Sequence, residues 1–319
     1  MFILGCHRSG TSLLSGVLSE FIEDLNPGSR LKTHWLKNET DNPKGFHESL
    51  TLTEANKELL KLAGSQWDKP FLVRPDWSEL NGYIHMKKFR HRLKQWMSSD
   101  AWVDKDPRLC LTREAYLHIF LKDVSSIAII RDPISVANSL FMRDGIKIER
   151  GIGLWIIYNY FLFNSYCNPP KASLIYNELI NRSEFFATSI VQGLDQTLLG
   201  IDQSDQSIKS RIRNLMEKFI QNFDPSLDRS INNLSLSHLH NIELAEVAQS
   251  TYKAALTTEN LSNPKKLAKI FHQAFHLSFD SLQELFPHQF HQKSLADRKP
   301  TAQAIKMLKQ LRHKLQTKS

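Results

Sequence analysis

Gly5-Cys6-His7-Arg8-Ser9-Gly10-Thr11-Ser12 is the stretch best equipped for chemistry. An apolar run, Met1-Phe2-Ile3-Leu4, precedes it, and Leu13-Leu14-Ser15-Gly16-Val17-Leu18 follows. That pattern predicts a strand, a tight glycine-bounded loop and a helix. Such a loop aims backbone N–H groups and the positive end of a helix at one point, which suits phosphate or sulfate. Gly5 and Gly10 have the spacing of a P-loop, but Thr11-Ser12 stand where a Walker A loop needs Lys and then Ser or Thr. The nearest cation is Arg8, inside the loop. The stretch therefore reads as an anion cradle without the lysine of an ATPase or GTPase loop. Two further polar stretches follow apolar runs: Lys105-Asp106-Pro107-Arg108, and Arg131-Asp132-Pro133 with Ser139 eight residues after the arginine. In a parallel sheet all three would lie at the carboxyl edge, where ligands bind. Two separate anion grips, Arg8 to Ser12 and Arg131 with Ser139, imply a ligand with phosphates at two ends.

The elements that must position these residues can be read from periodicity. The first βα unit spans about residues 2–20. Residues 24–49 read as loop, with turn clusters at Asn26-Pro27-Gly28 and Asp41-Asn42-Pro43-Lys44-Gly45. A helix over about 50–63 rests on Leu52, Ala55, Leu59, Leu60 and Ala63, and an amphipathic helix over 81–98 on Met86, Phe89, Leu93 and Trp96. Ala101 to Asp104 reads as a short strand, followed by a helix over 111–121. Ser126-Ile127-Ala128-Ile129-Ile130 is apolar and β-branched, as expected of a central parallel strand buried on both faces. Asp132 fits a helix N-cap and Pro133 its first turn, with the helix running to about Met142. Residues 150–166 form a very apolar helix, and Ala172 to Tyr176 a further strand. Beyond residue 180 only helices are expected, near 183–193, 206–222, 241–257, 264–286 and 301–316, with polar linkers around 195–205 and 224–240. The fold class is α/β, a parallel sheet core flanked by helices, with a helical C-terminal part. The domain division is 1–180 for the α/β core and 181–319 for the helical region, packed on the same domain.

At 319 residues with 41% hydrophobic content the chain can bury a large core. No apolar run is long enough to span a bilayer; Ile152 to Phe163, the longest, holds Asn159. There is no charged leader or cleavage site at the N-terminus, so the expected location is cytoplasmic. Cys6, Cys110 and Cys167 have no metal or disulfide spacing and read as reduced thiols. The net charge of +8 suits an anionic ligand. No nucleic-acid motif accompanies it, so no nucleic-acid partner is expected.

On these motifs the chain resembles the sulfotransferases that use 3'-phosphoadenosine 5'-phosphosulfate (PAPS). Arg8-Ser9-Gly10-Thr11-Ser12 resembles their 5'-phosphosulfate loop, and Arg131 with Ser139 their 3'-phosphate motif. Lys105-Asp106-Pro107-Arg108 and Asn42-Pro43-Lys44-Gly45-Phe46-His47-Glu48 resemble stretches of bacterial members. The resemblance covers about residues 1–180. It implies in-line transfer of a sulfuryl group to an acceptor hydroxyl or amine of a glycan, lipid or small molecule, with PAPS as cofactor and no metal. It places Arg8 at the bridging oxygen and the sulfuryl group, and His7, Ser9, Gly10, Thr11 and Ser12 with Arg131 and Ser139 around the cofactor. Glu48 is the leading candidate for the base that takes the acceptor's proton, His47 the second and His7 the third. Lys105 is a candidate contact to the sulfuryl group or acceptor. The bland alternatives are that Glu48 opens the helix near residue 50 and that Lys105 pairs with Asp104 or Asp106.

Other readings stay in view. A P-loop kinase lacks its lysine here, and a non-catalytic anion-binding protein of the same fold would keep the same motifs. His272 and His276 are four apart on a predicted helix, but no third metal ligand accompanies them. The stripe at 267, 270, 271, 275, 282 and 285 reads as core packing. Basic residues on the last predicted helix, such as Lys306, Lys309 and Arg312, read as a solvated face and leave peripheral membrane contact open.

Overall fold

The computed structural model describes residues 1–25, 48–78, 91, 93, 102–120, 123–181, 184–194, 206–221 and 241–287. Among these, β1 (Phe2–Leu4), β2 (Asp104–Lys105), β3 (Ser126–Ile130) and β4 (Ala172–Ile175) form one sheet in the order β2-β1-β3-β4. Every pairing is parallel, with Phe2 opposite both Asp104 and Ser126, and Ile130 opposite Ile175. β1 and β3 are buried along their whole length, which explains why they carry uninterrupted apolar residues. The expected α/β class with a parallel core is the observed one.

Helices link the strands: α1 (Thr11–Leu25), α2 (Leu50–Leu62), α3 (Leu109–Phe120), α4 (Pro133–Asp144) and α5 (Ile148–Phe163). The Asp132 side chain accepts from Ser135 N–H at 2.8 Å, with Pro133 at the first helical position. α4 ends at Gly145, whose φ of +67° is the left-handed cap that glycine adopts without strain. Beyond β4 come α6 (Tyr176–Ile180), α7 (Glu184–Gly193), α8 (Gln206–Gln221), α9 (Ile242–Ala255), α10 (Thr258–Leu261), α11 (Pro264–Leu277) and α12 (Phe279–Leu285).

α5 is apolar nearly all round because it is covered on more than one side. A Cβ on its Gly151 would sit 2.8 Å from the Ala137 Cα of α4, so only glycine allows this approach. On another side Tyr160 stacks on Phe275 at 4.0 Å, and Phe163 on Phe271 at 4.9 Å, both from α11.

Two expectations are corrected. The strand expected over Ala101 to Asp104 is Asp104–Lys105, because the ladder register pairs Asp104 with Phe2 and leaves Trp102 and Val103 before it. The single helix expected over 264–286 is two, α11 and α12. Ser278 leaves helical geometry (φ −97°, ψ 2°) between them, its N–H closing α11 on the Ala274 carbonyl. The helices expected at 81–98 and 301–316, the loop over residues 26–47 and the linkers near 195–205 and 224–240 lie wholly or almost wholly outside the described residues.

Candidate functional site

The loop after β1 lies flat against the carboxyl ends of β3 and β4. A Cβ on Gly5 would fall 2.8 Å from the Ile129 carbonyl oxygen, so a larger residue would push the loop off β3. Gly10 has φ +87°, and a Cβ there would meet the Tyr176 ring at 2.4 Å. Arg8 is the one non-glycine residue with positive φ (+66°) among the described residues. Left-handed backbone costs a non-glycine residue about 1–2 kcal/mol, so something must hold it there.

Two side chains do. Arg131 Nη1 donates to the Arg8 carbonyl at 2.8 Å, and Arg8 Nε donates to Ser139 Oγ at 2.8 Å. Arg131 is in turn fixed by the Tyr176 ring, 4.2 Å from its guanidinium carbon, and by Trp155, whose Nε1 donates to the Arg131 carbonyl at 2.8 Å. β1 and β3 are neighbours in the sheet, so their following loops touch and the two candidate grips lie side by side.

Inside the loop, Ser9 and Thr11 are buried, while Ser12 and Gly10 are half-buried. The Ser9 hydroxyl and His7 Nε2 are buried and find no hydrogen-bond partner among the described residues. His7 packs between Trp67, ring centroids 4.6 Å apart, and the edge of Tyr158 at 5.3 Å. Burial holds its proton affinity well below the usual histidine value, and the cations Arg108, Arg143, Lys105 and Arg8 lower it further. His7 is therefore neutral at physiological pH.

A second cluster forms where β2 meets the start of α2. Lys105, almost fully buried, pairs with Glu48, 57 residues away in sequence, where the sequence offered neighbouring Asp104 and Asp106. The α2 cap is Ser49, whose hydroxyl accepts from Leu52 N–H at 3.1 Å; Glu48 is not the cap. Burial raises the Glu48 pKa above the ordinary carboxylate range, and Lys105 opposes the rise. Asp104 accepts from Ser49 N–H at 3.1 Å and Lys105 N–H at 2.7 Å through one oxygen, while its other oxygen is buried without a partner among the described residues. Burial above all pushes its pKa up to about 7. His47 lies outside the described residues.

Behind this cluster runs a polar network that the sequence did not announce. Asp106, fully buried, accepts from Arg108 N–H at 2.9 Å and Arg108 Nη1 at 3.0 Å on one oxygen, and from Asn56 Nδ2 at 3.1 Å on the other. Asn56 Oδ1 accepts from Thr112 at 2.7 Å and Tyr116 at 2.8 Å. A signal existed: Asn56 is a polar residue beside Leu52, Ala55 and Leu59 on the buried face of the expected helix. Trp155, Tyr158 and Tyr176, read as core or strand residues, also reach the site.

The other features are plain. The three cysteines are free and buried. His272 and His276 stack at 4.2 Å beside Tyr160, and no group of three or more candidate metal ligands occurs among the described residues. No described helix is long and apolar enough to cross a membrane.

A parallel sheet with flanking helices, a glycine-bounded loop after its first strand and an arginine after its third has the outline of a P-loop-like scaffold. Residues 1–149 match the model of the sulfotransferase family. No curated protein and no solved structure matches the chain. The family match supports sulfuryl transfer in general terms.

Proposed function

We propose that the protein moves a sulfuryl group from PAPS to a hydroxyl or amine of a glycan, lipid or small-molecule acceptor. The observation that carries this reading is the shared grip of Arg8, Arg131 and Ser139. PAPS bears its 3'-phosphate and 5'-phosphosulfate on one ribose, so it needs two anion sites close together. The loop fits such a group: it has no room for a Cβ at Gly10, and a buried Ser9 hydroxyl has no partner among the described residues. PAPS supplies the activated sulfuryl group when bound.

The chain's residues then divide the work. The backbone N–H groups of Gly10 to Ser12, with the Thr11 and Ser12 hydroxyls, hold the 5'-phosphate at the N-terminus of α1. Arg131 and Ser139 hold the 3'-phosphate. Arg8 stabilises charge on the bridging and sulfuryl oxygens, where preorganised donors act most strongly. His7, neutral and wedged against Trp67, shapes the loop. Glu48 takes the acceptor's proton: burial raises its pKa, which makes it a stronger base, and Lys105 pairs with it. Alignment of nucleophile and leaving oxygen is left to the geometry of the two clusters. α9 and α11 pack on this core, since Tyr252 and Phe271 reach Trp155, which holds the Arg131 carbonyl.

The test is thermal denaturation with 3'-phosphoadenosine 5'-phosphate (PAP), against ATP with Mg²⁺. At a hundredfold excess over Kd, PAP stabilises by about 2.7 kcal/mol, several degrees in Tm. Stabilisation by ATP–Mg²⁺ but not by PAP would return the chain to the kinase reading.

A further inference from the structure

We propose that Arg108 binds the sulfuryl group under transfer and that Asp106 and Asn56 are its positioning residues, an inference that rests on the sulfotransferase reading above. The guanidinium of Arg108 is clamped from behind. Asp106 holds its Nη1 at 3.0 Å and its backbone N–H at 2.9 Å. Asn56 holds the other Asp106 oxygen, and Thr112 and Tyr116 hold Asn56. Asp106, Asn56 and Thr112 have no exposure to solvent at all. Nε and Nη2 of Arg108 have no protein partner among the described residues, and its side chain keeps 13% exposure. The result is a guanidinium fork with its back fixed and two donors unused.

Its placement decides what those donors meet. Arg108 follows β2 directly, and β2 is the sheet neighbour of β1, so the Arg108 loop flanks the Gly5–Gly10 loop. Of the cations acting on His7, Arg108 acts most strongly, ahead of Arg143, Lys105 and Arg8. Glu48 also lies within its field. Arg108 is thus near enough to act on both the loop that would hold the 5'-phosphosulfate and the carboxylate that would take the acceptor's proton. A planar fork suits two equatorial sulfuryl oxygens better than a point charge does.

A plainer account exists. Asp106 starts α3, its carbonyl accepting from Leu109 N–H at 2.9 Å, so it serves as a helix-start residue. That role needs one carboxylate oxygen and the backbone. It needs neither the Arg108 side chain nor Asn56. A buried polar network four residues deep is costly to desolvate unless fully satisfied, and its satisfaction here fixes one rotamer, that of Arg108.

The experiment compares PAPS and PAP, which differ by the sulfuryl group, by isothermal titration without acceptor. Arg108→Met should weaken PAPS binding about tenfold or more and change PAP binding less than threefold. Arg108→Lys keeps the charge but not the fork, and should lose PAPS affinity by an intermediate factor. Asn56→Ala should reproduce the selective loss at about threefold with PAP affinity kept. Equal losses for both ligands, or none, in Arg108→Met and Arg108→Lys would overturn the proposal and assign Arg108 to the fold. If the unaltered protein binds neither ligand, the sulfotransferase reading itself falls, and this inference with it.

Discussion

The edges after β1 and β2 are neighbours in one sheet, yet they are built on opposite principles. At β1 the active groups are backbone N–H donors, held in place by steric exclusion: Gly5 against Ile129, and Gly10 against Tyr176. There Arg8 donates to the Ser139 hydroxyl and Arg131 to the Arg8 carbonyl. At β2 the cations meet carboxylates of the chain itself, Lys105 with Glu48 and Arg108 with Asp106. On the function proposed above, the first edge attracts an anion and the second keeps charge balanced while a proton moves. A group-transfer enzyme needs both, and separating them on adjacent strands lets each be tuned alone.

The sharpest way to break the β1 edge is Gly10→Ala. The added Cβ lands 2.4 Å from the Tyr176 ring, at a φ that L side chains rarely adopt. Tyr176 cannot easily retreat, because Arg131 lies over its ring. Strain of this kind, added to loss of the loop geometry, should lower PAP affinity by about a thousandfold, roughly 4 kcal/mol. Titration calorimetry reads the effect. Affinity within tenfold of the parent would mean that the loop is not the anion site.

The β2 edge is addressed by Glu48→Gln. The amide cannot accept a proton, so transfer to an acceptor found in a panel should slow by about a hundredfold. PAP affinity should stay nearly unchanged, because the two edges act separately. The variant also leaves Lys105 buried beside a neutral partner, so some stability is lost. A parallel fall in PAP affinity and rate would erase the distinction between the edges. Full activity would move the base elsewhere.

Much of the framework was legible because it rests on local signals. β3 is a continuous β-branched run, and the start of α4 is written as Asp132-Pro133. The loop at Gly5–Gly10 announced itself by its glycines and flanks. What could not be read are contacts between residues far apart in sequence. Arg8 meets Ser139 across 131 positions, and Lys105 meets Glu48 across 57. The sequence therefore showed two candidate grips but not that the sheet order sets them side by side, and it offered Lys105 the wrong partners. Tyr176 carried no signal either, since a tyrosine closing an apolar strand looks like core until Gly10 is seen beneath it. Ser278 broke a helix whose apolar stripe runs on without interruption, because periodicity reports which face is buried and not whether the axis stays straight.

The smallest expected effect tests the claim that the β2 edge is charge-balanced. Asp104 sits beside the Lys105–Glu48 pair with a pKa of about 7, raised chiefly by burial. A raised carboxyl pKa means that the fold prefers the neutral acid. Its contribution is fully present below the unfolded-state pKa near 4 and is lost as pH climbs through about 7. Asp104→Asn keeps an acceptor for the Ser49 and Lys105 N–H groups and removes the titration. Chemical denaturation at pH 5 and pH 8 should therefore show the variant gaining on the parent at the higher pH, by about 2.5 kcal/mol. Parallel pH curves would mean that Asp104 is ionised in the fold throughout. Lys105 would then answer two carboxylates, and the cluster would repel the anion that the β1 edge attracts.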